Sequence, residues 1–364
     1  MPLIQHRAVW YFHGFDPAST ARYRRIFESA SGRLGVRLED LPDGEEGWSV
    51  ASGPTTTDFH YLRYEALVRA AQAGGPLTRL GRGLRTLVGY VADGALFRLS
   101  ARSAALAVSP YIVAFGPLVF AALTGLDETW SMVAFVALAL AAAVMLFRLR
   151  MILVCDLFAF MRMLAKGSGR DWGTYHDRID DLAGQIDPHG AEETVIVGHS
   201  LGGVAAIFAV RDLLERLPTG ARIGLVTLGS VHGIVLTQKG RGRDKLAEAI
   251  AQICRDERLT WLDVSSPRDA FCVPLTDPLV QIGDLAVPGM RSPMVISAPL
   301  ARAPRIPGDR RTVFSAMRRH MGYLLAPPPG HGGFDYAELL TSPMDLPARL
   351  SERGNSPKAR MWQG

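Results

Sequence analysis

Two long apolar runs without charge, placed almost end to end, constrain this chain more than any other feature. Residues 103–123 include Ile112, Val113, Phe115, Leu118, Val119 and Phe120 and carry no charge over 21 positions; residues 130–147, rich in Ala, Leu and Val, carry none over 18. At about 1.5 Å of rise per residue, helices of these lengths match a hydrocarbon layer about 30 Å thick. Residues 124–129 alone separate them, so the expectation is a tight transmembrane hairpin. Pro110 and Gly116 are tolerable kinks within lipid, where neighbouring groups satisfy the freed backbone. The competing reading is a pair of buried helices in a soluble protein, although two adjacent runs of this length are rare in globular cores.

The flanking charges orient the hairpin. Arg79, Arg82, Arg85, Arg98 and Arg102 precede the first run, Arg148, Arg150, Arg162, Lys166 and Arg170 follow the second, and the tip carries Asp127 and Glu128. Because basic segments stay on the cytoplasmic side, both soluble parts are expected there, as in a two-pass protein of a bacterial inner membrane. Between residues 77 and 99, Leu77, Leu80, Leu84, Leu87, Val88 and Val91 recur at helical spacing with arginines elsewhere. That pattern suits an interfacial helix and equally a surface helix packed on a core.

Elsewhere the composition is that of a folded protein. Of the 364 residues 48% are hydrophobic and 21% charged, ample for a real core. The 40 basic residues nearly balance the 35 acidic ones, lysine occurring at Lys166, Lys239, Lys245 and Lys358 alone. A net charge of +5 would suit anionic lipid, but no dense basic run alternates with aromatics, so nucleic acid is not an expected partner. Cys155, Cys254 and Cys272 are odd in number and widely spaced, which points to neither a disulfide framework nor a zinc site and suits a reducing compartment. The first residues lead into a short apolar stretch with no small-residue cleavage site, unlike a secretory signal.

The soluble parts alternate strand and helix. Residues 8–12 read as a buried strand, 17–31 as a helix and 36–41 as a possible strand; after the hairpin, 175–186 form an amphipathic helix with Ile179, Leu182 and Ile186 on one side. Residues 193–197, 223–228 and 259–264 read as strands, with helices to about 217 and over 245–254. This is the pattern of an α/β fold whose mostly parallel sheet is covered by helices on both faces. The expected organisation is soluble residues 1–76, an amphipathic juxtamembrane helix 77–102, spans 103–123 and 130–147, a second juxtamembrane helix 148–170, a second soluble part 171–345, and a flexible tail 346–364 rich in Pro, Arg and Ser.

The strand at 193–197 runs straight into Gly198-His199-Ser200-Leu201-Gly202-Gly203 and an apolar helix. G-x-S-x-G between a strand and a helix forces a sharp turn that thrusts the serine hydroxyl out at the strand's carboxyl end, above a helix N-terminus. The bland alternative is a glycine-rich turn with a capping serine.

This segment resembles the nucleophile elbow of the α/β-hydrolase superfamily, in particular its lipase and esterase members, in which G-H-S-L-G-G is a common form. The resemblance covers residues of about 1–75 and 170–340, and the hairpin lies outside it. It implies a serine nucleophile, Ser200, then an acid and later a histidine in chain order. His320, in Arg319-His320-Met321-Gly322-Tyr323, resembles the surroundings of the catalytic histidine of many lipases, an H-x-x-Y arrangement opening a short helix; His331, in a Pro-Gly-His-Gly-Gly loop, is the rival. Asp269, in the loop past the strand at 259–264, is the expected acid, with Asp263, Asp277 and Asp284 as rivals and an Arg268–Asp269 salt bridge as the structural alternative. One oxyanion donor is expected from the N–H of Leu201, and the other from Gly14 or Phe15 in His13-Gly14-Phe15, which resembles the H-G element of the family without the fuller H-G-G-G form. His13-Gly14 otherwise reads as a simple turn.

Together these readings imply a membrane-anchored, cytoplasm-facing serine hydrolase that cleaves carboxylic esters through an acyl-enzyme. Its expected partners are the lipid bilayer and a lipid or other apolar acyl ester, met at high local concentration by an enzyme tied to the membrane. No cofactor is implied, and His60, His176, His189 and His232 lack a metal-binding spacing such as H-E-x-x-H. The same residues would serve an acyltransferase, in which an alcohol replaces water, and a scaffold could retain the fold without activity.

Overall fold

The computed structural model describes residues 3–355 apart from 18–19, 43–44, 124–126, 149, 219, 299, 301–314 and 327–333. The chain begins with β1 (His6–Phe12), α1 (Thr20–Ser31), β2 (Leu38–Glu39), β3 (Gly47–Ser52), β4 (Thr55–Leu62) and α2 (Glu65–Ala71). A helical insertion follows: α3 (Pro76–Ala92), α4 (Ala101–Leu123), α5 (Glu128–Arg148) and α6 (Met151–Lys166). After α7 (Arg170–Gln185), strands and helices alternate through β5 (Glu193–His199), α8 (Gly202–Arg216), β6 (Ile223–Leu228), α9 (His232–Leu236), α10 (Arg241–Ile253) and β7 (Leu259–Ser265). The chain then passes through α11 (Pro278–Ile282), β8 (Met294–Ser297), α12 (Ser315–His320), α13 (Tyr336–Thr341) and α14 (Leu346–Asn355).

The strands form one sheet in the order β2-β3-β4-β1-β5-β6-β7-β8. It is parallel from β4 to β8 and antiparallel where β2, β3 and β4 meet. Because side chains alternate along a strand, β1 sends Ala8, Trp10 and Phe12 into the core under α7, α8 and α10, and Val9 and Tyr11 into a second core under α1 and α13. The fold is therefore an α/β sheet with helices on both faces, as the strand and helix alternation implies.

Between β1 and β5 the chain's path reverses: the partner of β1 on one side is β4, and on the other β5, from which β6, β7 and β8 continue outward. Such a reversal opens a crevice at the carboxyl ends of the strands, where open α/β sheets place their ligands. The turn after β1 and the turn after β5 flank this crevice.

The start of β1 is tied to the far end of the chain. Buried Arg7 donates to Glu193 at 2.5 Å and to the carbonyls of Leu340, Ser342 and Met344 at 2.7–2.9 Å, and Arg349 reaches the same Glu193 carboxylate at 3.1 Å. Residues 346–355, expected as part of a flexible tail, form α14 for this reason; Leu346, Ala348 and Leu350 are buried.

The two apolar runs are helices α4 and α5, packed on each other and each long and apolar enough to cross a membrane. The first half of α4 is held by protein through Ser103, Leu106, Ala107, Pro110 and Tyr111, whereas its second half and nearly all of α5 leave their apolar side chains uncovered. Helix α6 returns the chain to the body with Val154, Leu157, Phe158, Met161 and Leu164 buried.

Candidate active site

The elbow is shaped by what its glycines exclude. Ser200 has φ of 58°, a left-handed conformation costly for any residue with a Cβ and found where a tight turn forces it. Its N–H donates to the Leu228 carbonyl at 2.9 Å, and its own carbonyl accepts from Gly203 and Val231 at 3.1 and 3.2 Å. A Cβ on Gly202 would strike the Phe12 carbonyl, and one on Gly203 the Ser230 side chain. The glycines let α8 begin directly against the ends of β1 and β6, and Ser200 stands at its amino end.

His320 and Asp269 come together beside this turn. The Nδ1–H of His320 donates to Asp269 Oδ2 at 2.8 Å, which leaves Nε2 as the free, basic nitrogen. Both side chains are buried, and Nε2 has no hydrogen-bond partner. The ring of His199, next to Ser200 in sequence, lies 5.0 Å from that of His320, and its Nε2–H donates to the His320 carbonyl at 3.2 Å. His199 thereby couples the histidine segment to the elbow. Among the described residues no hydrogen bond joins Ser200 to His320, and such bonds often tighten only when substrate is present.

Asp269 is held by more than the histidine. Tyr323 donates to Oδ2 and the N–H of Phe271 to Oδ1, each at 2.9 Å. Burial pushes the Asp269 carboxyl up, but the facing His320 charge and these hydrogen bonds outweigh it and hold the carboxyl below the usual range. The carboxylate is thereby kept ionised and able to orient the imidazole it faces. Tyr323 is the Y of the H-x-x-Y pattern; that spacing carried the signal, but only the fold brings its hydroxyl onto the carboxylate. His320 closes α12 and opens a 3-10 turn over Met321–Leu324, rather than opening a helix.

The rival acids are elsewhere. Asp263 is buried in β7, accepts from Thr227 at 2.5 Å, and is pushed up to about 7 by burial and by the charge of Asp277. Asp277 caps α11 through the N–H of Leu279, and Asp284 is exposed. His331 lies outside the described residues.

On the other side of Ser200 stands the turn after β1. A Cβ at Gly14 would sit 3.0 Å from the Ser200 Cβ and 3.2 Å from His199 Nδ1, so a side chain here would crowd the Ser200 turn. His13 is buried, stacked 4.0 Å from the Tyr64 ring, and its Nδ1–H donates to the Gly14 carbonyl at 2.7 Å, fixing the turn. Burial holds the His13 imidazole down to about 3, so it stays neutral and acts as a brace. Phe15 packs on Phe160 of α6, with ring centroids 5.4 Å apart. The backbone N–H groups of Leu201 and Phe15 donate to no backbone carbonyl among the described residues. The structure thus brings Ser200, His320, Asp269, Leu201, Gly14 and Phe15 to one edge of the sheet. A separate cavity of about 470 Å³, lined in part by Arg98, Gln238, Lys239, Arg243 and Gln281, shares none of these residues.

Residues 140–249 match the family of lipases, Lipase (class 3). No curated protein and no solved structure matches the chain. With the sheet topology, the family match supports a lipase-like α/β-hydrolase and suggests activity on ester bonds. The matched segment runs from within α5 through the Ser200 turn to α10 and stops before Asp269 and His320, so the roles of those two rest on their geometry.

Proposed function

We propose that this protein is a membrane-anchored serine hydrolase of carboxylic esters, with Ser200 as nucleophile, His320 as general base and acid, and Asp269 as the group that orients the imidazole. The observation that carries the reading is the Asp269–His320 pair, at 2.8 Å, beside a serine held at φ of 58° at the start of a helix. With Nδ1 protonated and facing Asp269, Nε2 is the nitrogen able to take the Ser200 proton as Oγ attacks the ester carbonyl carbon. The oxyanion that forms would accept from the N–H of Leu201 and from that of Phe15 or Gly14. His320 then returns the proton to the leaving alkoxide, and a water molecule, deprotonated by the same nitrogen, releases the acid from Ser200. His199, held down to about 3 by burial and by the charge of His320, stays neutral and is not a second base.

In this proposal α4 and α5 are the membrane anchor. Strands from before and after the hairpin share one sheet, which two crossings permit because they return the chain to its starting side. The arginine-rich outer flanks and acidic tip favour the cytoplasmic side for the sheet.

Labelling with a fluorophosphonate probe in membranes tests the chemistry. Wild type should label and Ser200→Ala should not, with both inserted to the same extent. Equal labelling of the two proteins, or no labelling of wild type, would remove the serine mechanism.

A further inference from the structure

The amphipathic helix α3 is mounted with its polar face inward. On a wheel of about 100° per residue, Leu77, Leu84, Val88 and Val91 fall within about 60° of arc, and all four are exposed, Leu77 at 85% and Val88 at 61%. The opposite face, which meets α6, carries Arg79, Arg82, Gly83, Thr86, Gly89 and Tyr90. Arg79 and Arg82 both pair with the fully buried carboxylate of Asp156 on α6, the latter at 2.8 Å. At the far end, Asp93 receives Arg162 and Lys166 of α6 at 3.0 Å each. A Cβ at Gly83 would collide with Tyr111 and Cys155, and one at Gly89 with the Arg162 guanidinium. A helix built to sit on a water-soluble core does the reverse, burying its apolar stripe and leaving arginines in water.

We propose that α3 lies in the headgroup region of a bilayer, stripe toward the acyl chains, and docks the candidate active site against the membrane surface. This rests on the reading of α4 and α5 as an anchor and of Ser200 as a nucleophile. Three observations commit the surface to lipid. Phe97, in the link from α3 to the hairpin, is exposed as well, and so are the second half of α4 and nearly all of α5. The exposed basic residues Arg85, Arg98, Arg102, Arg148 and Arg150 lie beside the stripe or at the hairpin's root, where anionic headgroups would meet them. The two ion clusters hold the stripe outward, because rolling α3 over would leave Asp156 buried without its partners.

The same mounting faces the site toward the membrane. Helix α6, gripped by α3, carries the Phe160 that packs on Phe15 in the candidate oxyanion turn. Ser103, in the first turn of α4, donates to the carbonyl of Cys272, three residues past Asp269. The substrate class that this arrangement serves is an acyl ester resident in the bilayer, reached from the side of the site that meets lipid.

The test uses the full chain in vesicles of phosphatidylethanolamine and phosphatidylglycerol, with an environment-sensitive fluorophore on Val88→Cys or on Val136→Cys, at mid-length in α5. The native cysteines are all buried. Quenching by nitroxide lipids reads depth and needs no catalysis, so it is run in Ser200→Ala as well. The expected result is blue-shifted emission at 88, quenched most by nitroxide near the headgroup, and at 136 most by nitroxide at mid-chain. Water-like emission at 88 with lipid quenching at 136 overturns the proposal and leaves the anchor and the hydrolase reading standing. Water-like emission at both positions overturns the anchor and this proposal with it. Quenching at 88 as deep as at 136 also overturns it, because α3 would then lie in hydrocarbon rather than at the interface.

Discussion

Helices α8 and α5 are both apolar and alanine-rich, yet they occupy opposite environments. In α8 every residue from Gly202 to Val210 is buried, and Ala205, Ala206 and Ala209 lie fully buried against the sheet core. In α5 the large side chains Trp130, Met132, Val133, Val136, Leu140 and Val144 are all uncovered. The glycines repeat the contrast. Gly202 has the Phe12 carbonyl within reach of any added carbon, whereas a Cβ at Gly116 of the neighbouring α4 would meet nothing within 4 Å. Apolar composition makes a helix seek a non-aqueous surround, and a close approach such as Gly202 makes to the Phe12 carbonyl is what lets protein supply it.

This contrast breaks most severely if the chemistry depends on the uncovered region. Ser200→Ala, at the mouth of α8, should lower turnover of a soluble short-chain ester in detergent by roughly 10⁶-fold, while replacing residues 130–146 of α5 with leucine leaves that turnover unchanged. Loss of soluble-ester turnover in the leucine variant would tie the hairpin to catalysis itself. Within the packed region, Asp269→Asn should cost about 10⁴-fold by misorienting the imidazole, whereas Asp263→Asn leaves the rate near wild type; the reverse ranking in steady-state kinetics would exchange their roles.

Asp263 makes itself felt in stability instead. Its carboxyl, pushed up to about 7, is protonated in the folded protein and ionised in the unfolded one between roughly pH 4 and 7. The folded state holds the extra proton there, so stability contributed by this group falls as pH rises through that window and is level above it, a change of up to about 4 kcal/mol at 1.36 per unit. His13 and His199, held down to about 3, act with the opposite sign below pH 6.5, since unfolding lets them take up protons. Denaturation midpoints of wild type and Asp263→Asn at pH 5 and pH 8 isolate the carboxyl: the difference between the two proteins should change with pH, and a constant difference contradicts a neutral Asp263. The mildest comparison adds the same carbons to each helix. Ala206→Leu should overpack the sheet face and destabilise by about 1–3 kcal/mol, and Ala137→Leu, on exposed α5, should leave thermal denaturation in detergent unchanged.

The elbow was legible because its signals are local. A β-branched strand, three glycines and an apolar helix fall within about twenty residues, and the family order then directed attention to Asp269 and His320. Strand β3 escaped because it buries only Trp48 and Val50, too short a pattern to stand out, and β4 because its inward positions are partly polar. Thr55 and Thr57 are buried, each hydroxyl donating to a carbonyl, those of Ile4 and Leu340 at 2.6 and 3.0 Å. Such bonds let threonine stand where a pattern search demands an apolar residue. Helix α14 was hidden for a related reason, since Arg349, which reads as a surface residue, is buried against Glu193 some 156 positions away. For α3 the period was plain and the direction was not. Which face turns outward depends on Asp156, over 70 residues downstream, and no window of local sequence contains both partners.

The place of β1 between β4 and β5 also sets a schedule for biosynthesis. Once Leu62 has left the ribosome, β1 can pair with β4, but its other edge waits for Glu193–His199, which follow both apolar helices. At about 5–20 residues per second, the interval from Phe12 to Glu193 lasts roughly ten to forty seconds. For that time the nascent chain carries an open edge of Val9, Trp10 and Tyr11, a template for stray pairing. In the proposed membrane-anchored topology, delivery of the hairpin to the bilayer during translation would also be a folding step, since it would hold the first half beside the place where its partner strand emerges.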